Sequence, residues 1–263
     1  MTPEQFLALL RSAPPGTGTV RIASTEPGVT EIVLDHTGKK NALSPCMMLQ
    51  LSASVDRPEV RSSVAIILRG EGQAFCSGGD LDAVRDHLAV PGSGTAMAQF
   101  MGDILVRLEQ IDAVVLGVLD GPALGGGAEL LVACDEIFAS AAGSFGFVHA
   151  RLGVTPGFGG GGRLVSKLGT RKALSLLTTG NILRGTELQA IGLVDDWSGD
   201  PLVAARARAR GIAALPHDAV IGAIRIVRAY RTFGRGSGEQ VERLVFSELW
   251  GGSEHRRALG HRE

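Results

Sequence analysis

Two glycine-rich turns each run straight into a stretch of helical character. They are Ala74-Phe75-Cys76-Ser77-Gly78-Gly79-Asp80-Leu81 and Gly121-Pro122-Ala123-Leu124-Gly125-Gly126-Gly127-Ala128-Glu129. The first amides of a helix have no intrahelical acceptor, and the helix dipole favours negative charge beside them. Two such N–H groups converging on one oxygen would form an oxyanion hole that stabilises charge developing there. Glycine suits that task because it lets a ligand approach the backbone closely. The alternative is a pair of tight turns without chemistry, and for either turn taken singly that is the simpler reading.

Other chemical candidates carry less. Gly157-Phe158-Gly159-Gly160-Gly161-Gly162 matches GxGxxG, but Pro156 precedes it, and the residues around 176–179 contain no acid. A dinucleotide fingerprint needs a strand before it and an acid about 20 residues on. Gly70-Glu71-Gly72 lacks the third glycine, and no GxxxxGK[ST] occurs. Ser77 and Cys76 have no evident base beside them, so Cys76 is expected to pack, and Asp80 to cap a helix. The six histidines are scattered without HExxH, and the three cysteines, Cys46, Cys76 and Cys134, form no CxxC. No metal site and no disulfide framework is expected, and a reducing, cytoplasmic compartment fits.

The elements that must position these residues alternate between strand and helix. Residues 30–35 alternate apolar and polar, and residues 63–69 (SVAIILR) read as a more buried strand. A helix is expected from Gly79 through Leu88, a polar loop over 90–95, and a helix over 96–111. Residues 114–119 read as a strand, 128–134 as an apolar helix, and 136–139 and 144–147 as short strands. Helices follow from Arg163, over 171–177 and over 185–191, then a last strand at Leu193-Val194. Beyond Asp200 only helical pattern remains, over 202–214, 217–230 and 239–259, the last interrupted at Gly251-Gly252. The chain thus divides into a mixed α/β core over residues 1–197 and an all-helical region over 198–263. Strand–strand–helix units recur without a sequence repeat, which suits a spiral of short sheets better than a doubly wound sheet.

The chain has 263 residues, 44% hydrophobic and 20% charged, with a formal net charge of −1. That balance is globular, and it excludes a general attraction to nucleic acid or to an anionic membrane. Apolar runs are broken by Gly and Pro, so no bilayer span is expected. The start reads as an amphipathic segment stopped by Pro14-Pro15-Gly16, not as a signal peptide.

Gly70 to Leu81 (GEGQAFCSGGDL) and Asp120 to Asp135 (DGPALGGGAELLVACD) resemble the two signature segments of the crotonase (enoyl-CoA hydratase/isomerase) superfamily. Lys40-Asn41-Ala42-Leu43 resembles its segment near the bound CoA. Thr155-Pro156-Gly157-Phe158-Gly159-Gly160 with Arg163-Leu164 resembles its P-G-x-G-G-x-x-R-L segment. The resemblance covers roughly residues 20–200. It implies an α/β crotonase-like spiral of ββα turns with an all-helical C-terminal region that assembles a homotrimer or homohexamer. It implies an acyl-CoA substrate, or the same thioester on an acyl-carrier protein, with coenzyme A as part of the substrate and no separate cofactor. By the same resemblance the N–H groups of Gly79 and Gly126 form the oxyanion hole, and Glu129 is the first catalytic glutamate. Lys40, Ala42, Asp80, Leu81 and Asp82 lie along the substrate. Lys39 and Lys40 either touch CoA phosphates or form a solvated turn. Arg206, Arg208 and Arg210 read as a solvated helix face, one of which could reach a neighbouring subunit's CoA.

One departure bears on the reaction. Hydratases of this superfamily carry a second glutamate after a short strand; here that position is His149, in Val148-His149-Ala150-Arg151. Paired carboxylates suit water addition, one handling the water and the other the α-proton. Histidine can donate a proton near neutral pH. Phe147 to Gly153 resembles the ethylmalonyl-CoA/methylmalonyl-CoA decarboxylase branch, as does the W-G segment within residues 247–259. The resemblance therefore implies decarboxylation of a small alkylmalonyl-CoA, with Glu129 and His149 catalytic. The competing expectations are an enoyl-CoA hydratase or isomerase, and a non-catalytic acyl-CoA binding protein.

Overall fold

A computed structural model describes residues 1–259. The N-terminal helix α1 (Pro3–Ser12) starts with a capping box: the Gln5 amide donates to Thr2 Oγ1 at 3.2 Å, and the Thr2 amide donates to Gln5 Oε1 at 2.8 Å. Strands β1 (Thr19–Glu26) and β2 (Val29–Asp35) follow, then α2 (Pro45–Ser54), α3 (Pro58–Arg61), β3 (Ala65–Gly70), α4 (Leu81–Ala83) and α5 (Ser93–Glu109). Next come β4 (Val114–Leu119), β5 (Pro122–Leu124), α6 (Gly126–Val132), β6 (Glu136–Ala139) and β7 (Ser144–Gly146). A 3-10 turn over Val148–Leu152 leads to α7 (Gly160–Leu168), α8 (Thr170–Thr179), β8 (Leu183–Arg184), α9 (Thr186–Ala190) and β9 (Asp196–Trp197). Helices α10 (Pro201–Ala213), α11 (His217–Leu249, broken in two at Gly234) and α12 (Ser253–Ala258) complete the described residues.

The strands form two layers. One sheet has the order β1-β2-β3-β4-β6-β9, with only β1 antiparallel to its neighbour. The other has the order β5-β7-β8. Single parallel bridges, Leu43 to Gly79 and Cys76 to Ala123, extend the second layer back toward the N-terminus. Each turn of the chain thus lays one strand in the first sheet, one short segment in the second layer, and then a helix. That is the spiral of strand–strand–helix units expected from the sequence, with a helical C-terminal region after it.

Alternation along the strands splits the core. On β3, Ile66 and Leu68 face the large core shared with α2, α5 and α6, while Ala65 and Ile67 face the other side. There Ala205, Ala209 and Ile212 of α10 cover the sheet. Fully burying each such Ile or Leu stabilises by about 1.5–3 kcal/mol. Glu31 of β2 points to this outer face and is fully buried. It accepts from Arg69 Nε at 2.8 Å and from Arg206 Nε at 2.6 Å. Arg208 pairs with Glu136 and Arg210 with Glu26, so these three arginines clamp α10 to the sheet instead of lying free in solvent.

Several expectations change. Strand β1 escaped notice because Arg21 and Glu26 break its apolar pattern, as an edge strand allows. The segment from Gly79 to Leu88 is not one α-helix; α4 passes into a π-helical turn over Val84–Leu88. Helix α5 begins inside the expected loop, at Ser93, whose hydroxyl donates to Val90 O at 2.7 Å. The last strand falls at Asp196–Trp197, not at Leu193-Val194, because only there does the chain run beside β6. The two C-terminal helices expected over 217–230 and 239–259, by contrast, both form: the backbone leaves helical geometry at Gly234, the halves of α11 fold back so that Gly222 lies against Val245 and Leu249, and a further break at Gly251-Gly252 precedes α12.

Candidate active site

The two glycine turns meet in the second layer. Leu43 donates to Gly78 O at 2.8 Å and accepts from the Asp80 amide at 2.9 Å. Between those bonded groups, the alternation of a ladder turns the Gly79 amide to the opposite edge, along which Cys76 pairs with Pro122 and Leu124. At the start of α6 the Gly126 amide is likewise unengaged; among the described residues neither amide has a protein acceptor. The turns are in van der Waals contact: a Cβ on Gly78 would lie 3.3 Å from the Gly126 nitrogen. Gly127 allows the approach, since a Cβ there would sit 2.0 Å from Cys76 O. Cys76 itself packs, and burial pushes its thiol up to about 12.

One helical turn along α6, on the same face as Gly126, lies Glu129. Its side chain is 1% exposed. Oε2 accepts from the amides of Phe158 at 2.8 Å and Gly160 at 3.0 Å, and Oε1 from that of Gly157 at 3.2 Å. His149 Nε2 stands 3.1 Å from Oε1. The structure thus brings together the two side chains that the sequence placed twenty residues apart. With three backbone amides already directed at its oxygens, Glu129 acts as the acceptor in this cluster. The other ring nitrogen, Nδ1, is buried without a hydrogen-bond partner. Phe147 flanks the ring at a centroid distance of 5.6 Å.

The run Gly157 to Gly160 therefore serves Glu129. Gly160 is required by proximity, because a Cβ there would come within 2.5 Å of Glu129 Cγ. Arg163 holds the loop from below: Nη1 donates to Phe158 O at 2.9 Å. Its Nε and Nη2 donate to the two oxygens of Glu109 on α5 at 2.9 and 2.8 Å. Arg163, Glu109 and Phe158 were not singled out as site residues from sequence. The only signal for Phe158 and Arg163 was the P-G-x-G-G-x-x-R-L segment itself, through its family resemblance; nothing in the sequence marked Glu109.

The residues expected along the substrate cluster beside Gly79 but differ in availability. Leu81 is 60% exposed, and Asp82 is also exposed. Asp80 is buried; its carboxylate caps α4 through the Asp82 amide and takes Lys39 Nζ at 2.8 Å. Burial opposes its charge, yet Lys39 and the Asp82 amide together hold its carboxyl below the usual range. Lys39 also meets Asp82 at 2.9 Å, so this lysine is engaged by carboxylates rather than free for a phosphate. Ala42 is buried, and its carbonyl accepts from His36 Nδ1 at 2.8 Å. Lys40 is exposed and in the left-handed region, as is buried Asn41. Asn41, another residue missed, binds His36 N, Glu71 O and Ala74 O and so ties this segment to the first glycine turn. Among the described residues no group of three or more His, Cys, Asp or Glu is placed to hold a metal, and no helix is long and apolar enough to cross a membrane.

Known proteins resemble this chain in sequence and in fold. A family described as enoyl-CoA hydratase/isomerase matches residues 24–229, a span holding both glycine turns, Glu129, His149 and the 157–160 loop. The chain is 35% identical over 243 residues to an ethylmalonyl-CoA decarboxylase of Danio rerio, covering 89% of this chain and 80% of the relative. The Mus musculus protein of that name is 33% identical over 248 residues, covering 92% and 77%. The crystal structure of an enoyl-CoA hydratase from Thermoplasma volcanium GSS1 superposes with a TM-score of 0.84 at 27% identity, covering 94% of this chain and 98% of that one. An enoyl-CoA hydratase from Bacillus anthracis gives 0.83 at 25% identity, covering 92% and 95%. By motifs, fold and sequence span, the chain belongs to the enoyl-CoA hydratase/isomerase family of the crotonase superfamily.

Proposed function

We propose that this enzyme decarboxylates a small alkylmalonyl-CoA, with His149 as the proton donor and Glu129 as the residue that orients it. The carrying observation is the pairing of His149 Nε2 with buried Glu129 at 3.1 Å, on the face of α6 that also bears the unengaged Gly126 amide. The names of the relatives from Danio rerio and Mus musculus support the same reaction.

In the proposed reaction the bond between the α-carbon and its carboxylate breaks and CO2 leaves. The electron pair moves into the thioester carbonyl, whose oxygen becomes an enolate. The amides of Gly79 and Gly126 receive that charge; losing one such donor costs about 2.7–4 kcal/mol. His149 then delivers a ring proton to the α-carbon, the carbonyl re-forms, and solvent returns a proton to the site. Glu129 holds the ring in place through Nε2. Water addition lacks support here because His149 occupies the place of the second carboxylate. The reading includes a homotrimer or homohexamer assembled through residues 198–263, in a cytoplasmic setting suited to three free cysteines.

The test is to incubate the protein with methylmalonyl-, ethylmalonyl- and crotonyl-CoA and follow the thioester masses. Loss of CO2 from a malonyl-type thioester is expected. Hydration or isomerisation of crotonyl-CoA without decarboxylation would replace this reading with the hydratase or isomerase one. Binding without turnover would make the protein an acyl-CoA binder.

A further inference from the structure

Two apolar side chains rest directly on the glycines that carry the unengaged amides. A Cβ built on Gly126 would meet Phe158 Cε2 at 2.8 Å and Cζ at 3.5 Å. A Cβ on Gly79 would meet Val84 Cγ2 at 3.5 Å. Each donor glycine therefore has one apolar neighbour in van der Waals range of its Cα.

Phe158 is fixed unusually well for a loop residue. Its amide donates to Glu129 Oε2 at 2.8 Å, and its carbonyl accepts from Arg163 Nη1 at 2.9 Å. Gly126 and Glu129 lie on one face of α6, so Phe158 spans that face, with its ring at Gly126 and its backbone at Glu129. The ring thus lies against the glycine whose amide is assigned to the carbonyl oxygen, one helical turn from Glu129. Val84 begins the π-helical turn that interrupts α4, and it packs against the core from its own side. Such a bulge re-aims a side chain relative to a regular helix.

We infer that Phe158 and Val84 set the size of the α-substituent, admitting methyl or ethyl and excluding longer alkyl branches. The argument rests on the proposed function and on bond lengths. The α-carbon lies about one bond beyond the carbonyl carbon, so a carbonyl oxygen within hydrogen-bond reach of both amides puts it beside both glycines. Its branch then grows toward the two apolar side chains. A rigid aromatic wall pinned at both backbone atoms leaves little room to yield.

The experiment compares kcat/KM for methyl-, ethyl- and butylmalonyl-CoA in the wild type, Phe158→Leu, Phe158→Ala and Val84→Phe, each checked for a native melting transition. Both Phe158 variants keep the amide that binds Glu129, and Phe158→Leu keeps most of the packing. The butyl-to-ethyl ratio should rise by roughly 10-fold or more in Phe158→Ala, less in Phe158→Leu, and the ethyl-to-methyl ratio should fall in Val84→Phe. Ratios that stay within about twofold while all rates fall together would overturn the inference and leave these residues a structural role. If the wild type decarboxylates none of the three, the proposed reaction fails, and the wall is read by binding instead. A change in the relative Kd of butyryl- and octanoyl-CoA in Phe158→Ala then sustains it, and an unchanged ratio overturns it.

Discussion

Arg163 grips both oxygens of Glu109 with Nε and Nη2 while its Nη1 holds the carbonyl of Phe158. Through that one side chain, the end of α5 is tied to the loop whose amides hold Glu129, and Glu129 in turn faces His149. Removing the fork should loosen the loop without touching substrate. Arg163→Lys cannot reproduce a planar bidentate grip. It is expected to lower kcat by roughly 10-fold or more with little change in KM, since a small misplacement of a catalytic group is costly. Steady-state kinetics decide it; a change in KM alone would argue for a direct substrate contact.

His149→Gln keeps a polar side chain but has no proton to donate as an acid. Decarboxylation is expected to fall by roughly 10²–10⁴-fold, the usual contribution of a general acid. Normal turnover in this variant, measured as acyl-CoA released, would remove His149 from the proton-transfer step.

Glu129→Gln places an amide against three backbone N–H groups, two of which converge on Oε2. At least one donor must then face another donor or lose its partner, which typically costs about 1–3 kcal/mol. The melting temperature and the rate should both drop. The loss in kcat should exceed any change in KM, because the ring of His149 loses the partner that orients it; an unchanged kcat would show that Glu129 has only a structural role.

Gly127→Ala asks for a Cβ 2.0 Å from Cys76 O, which is backbone and cannot swing away. The two glycine turns must separate, at a cost of about 1–3 kcal/mol or more. Urea unfolding measures the loss, and a variant as stable as the parent would contradict the packing described for the start of α6.

Glu31 gives a pH-dependent prediction. Burial works against its charge, but Arg206 and Arg69 outweigh that and hold its carboxyl below the usual range. Its contribution is therefore fully present above the unfolded value of about 4.3 and is lost as pH falls through the lower folded value. Glu31→Gln should cost about 3–5 kcal/mol at neutral pH by stranding its arginines. The gap between variant and parent should narrow below pH 4 in urea melts; a constant gap would mean that the charge of Glu31 is not what matters.

Much of this molecule was readable from one sequence because its signals are local. Ala65 to Leu68 is a continuous apolar run, and burial on both faces needs nothing else to make it a strand. The glycines at 78, 79 and 125–127 announced tight turns by type alone. By contrast, β1 owes its place to pairing with β2, and the fold-back of the two helices on either side of Gly234 is a tertiary contact that no periodicity reveals. Asp80 read as a helix cap along the substrate and Lys39 as a phosphate contact or a solvated turn; only the fold set them 2.8 Å apart.

The residue types by themselves determined the chemistry on offer: glycine amides at two turns, one glutamate, and a histidine where a second glutamate could have stood. Only the tertiary structure decided what each group faces. Glu129 spends its acceptors on the amides of Gly157, Phe158 and Gly160, and His149 keeps Nδ1 unbonded. The reason is physical: hydrogen bonds and steric contacts act across a few ångströms, and the loop at 157–160 reaches Glu129 across some thirty residues of chain only because the spiral stacks one turn on the next.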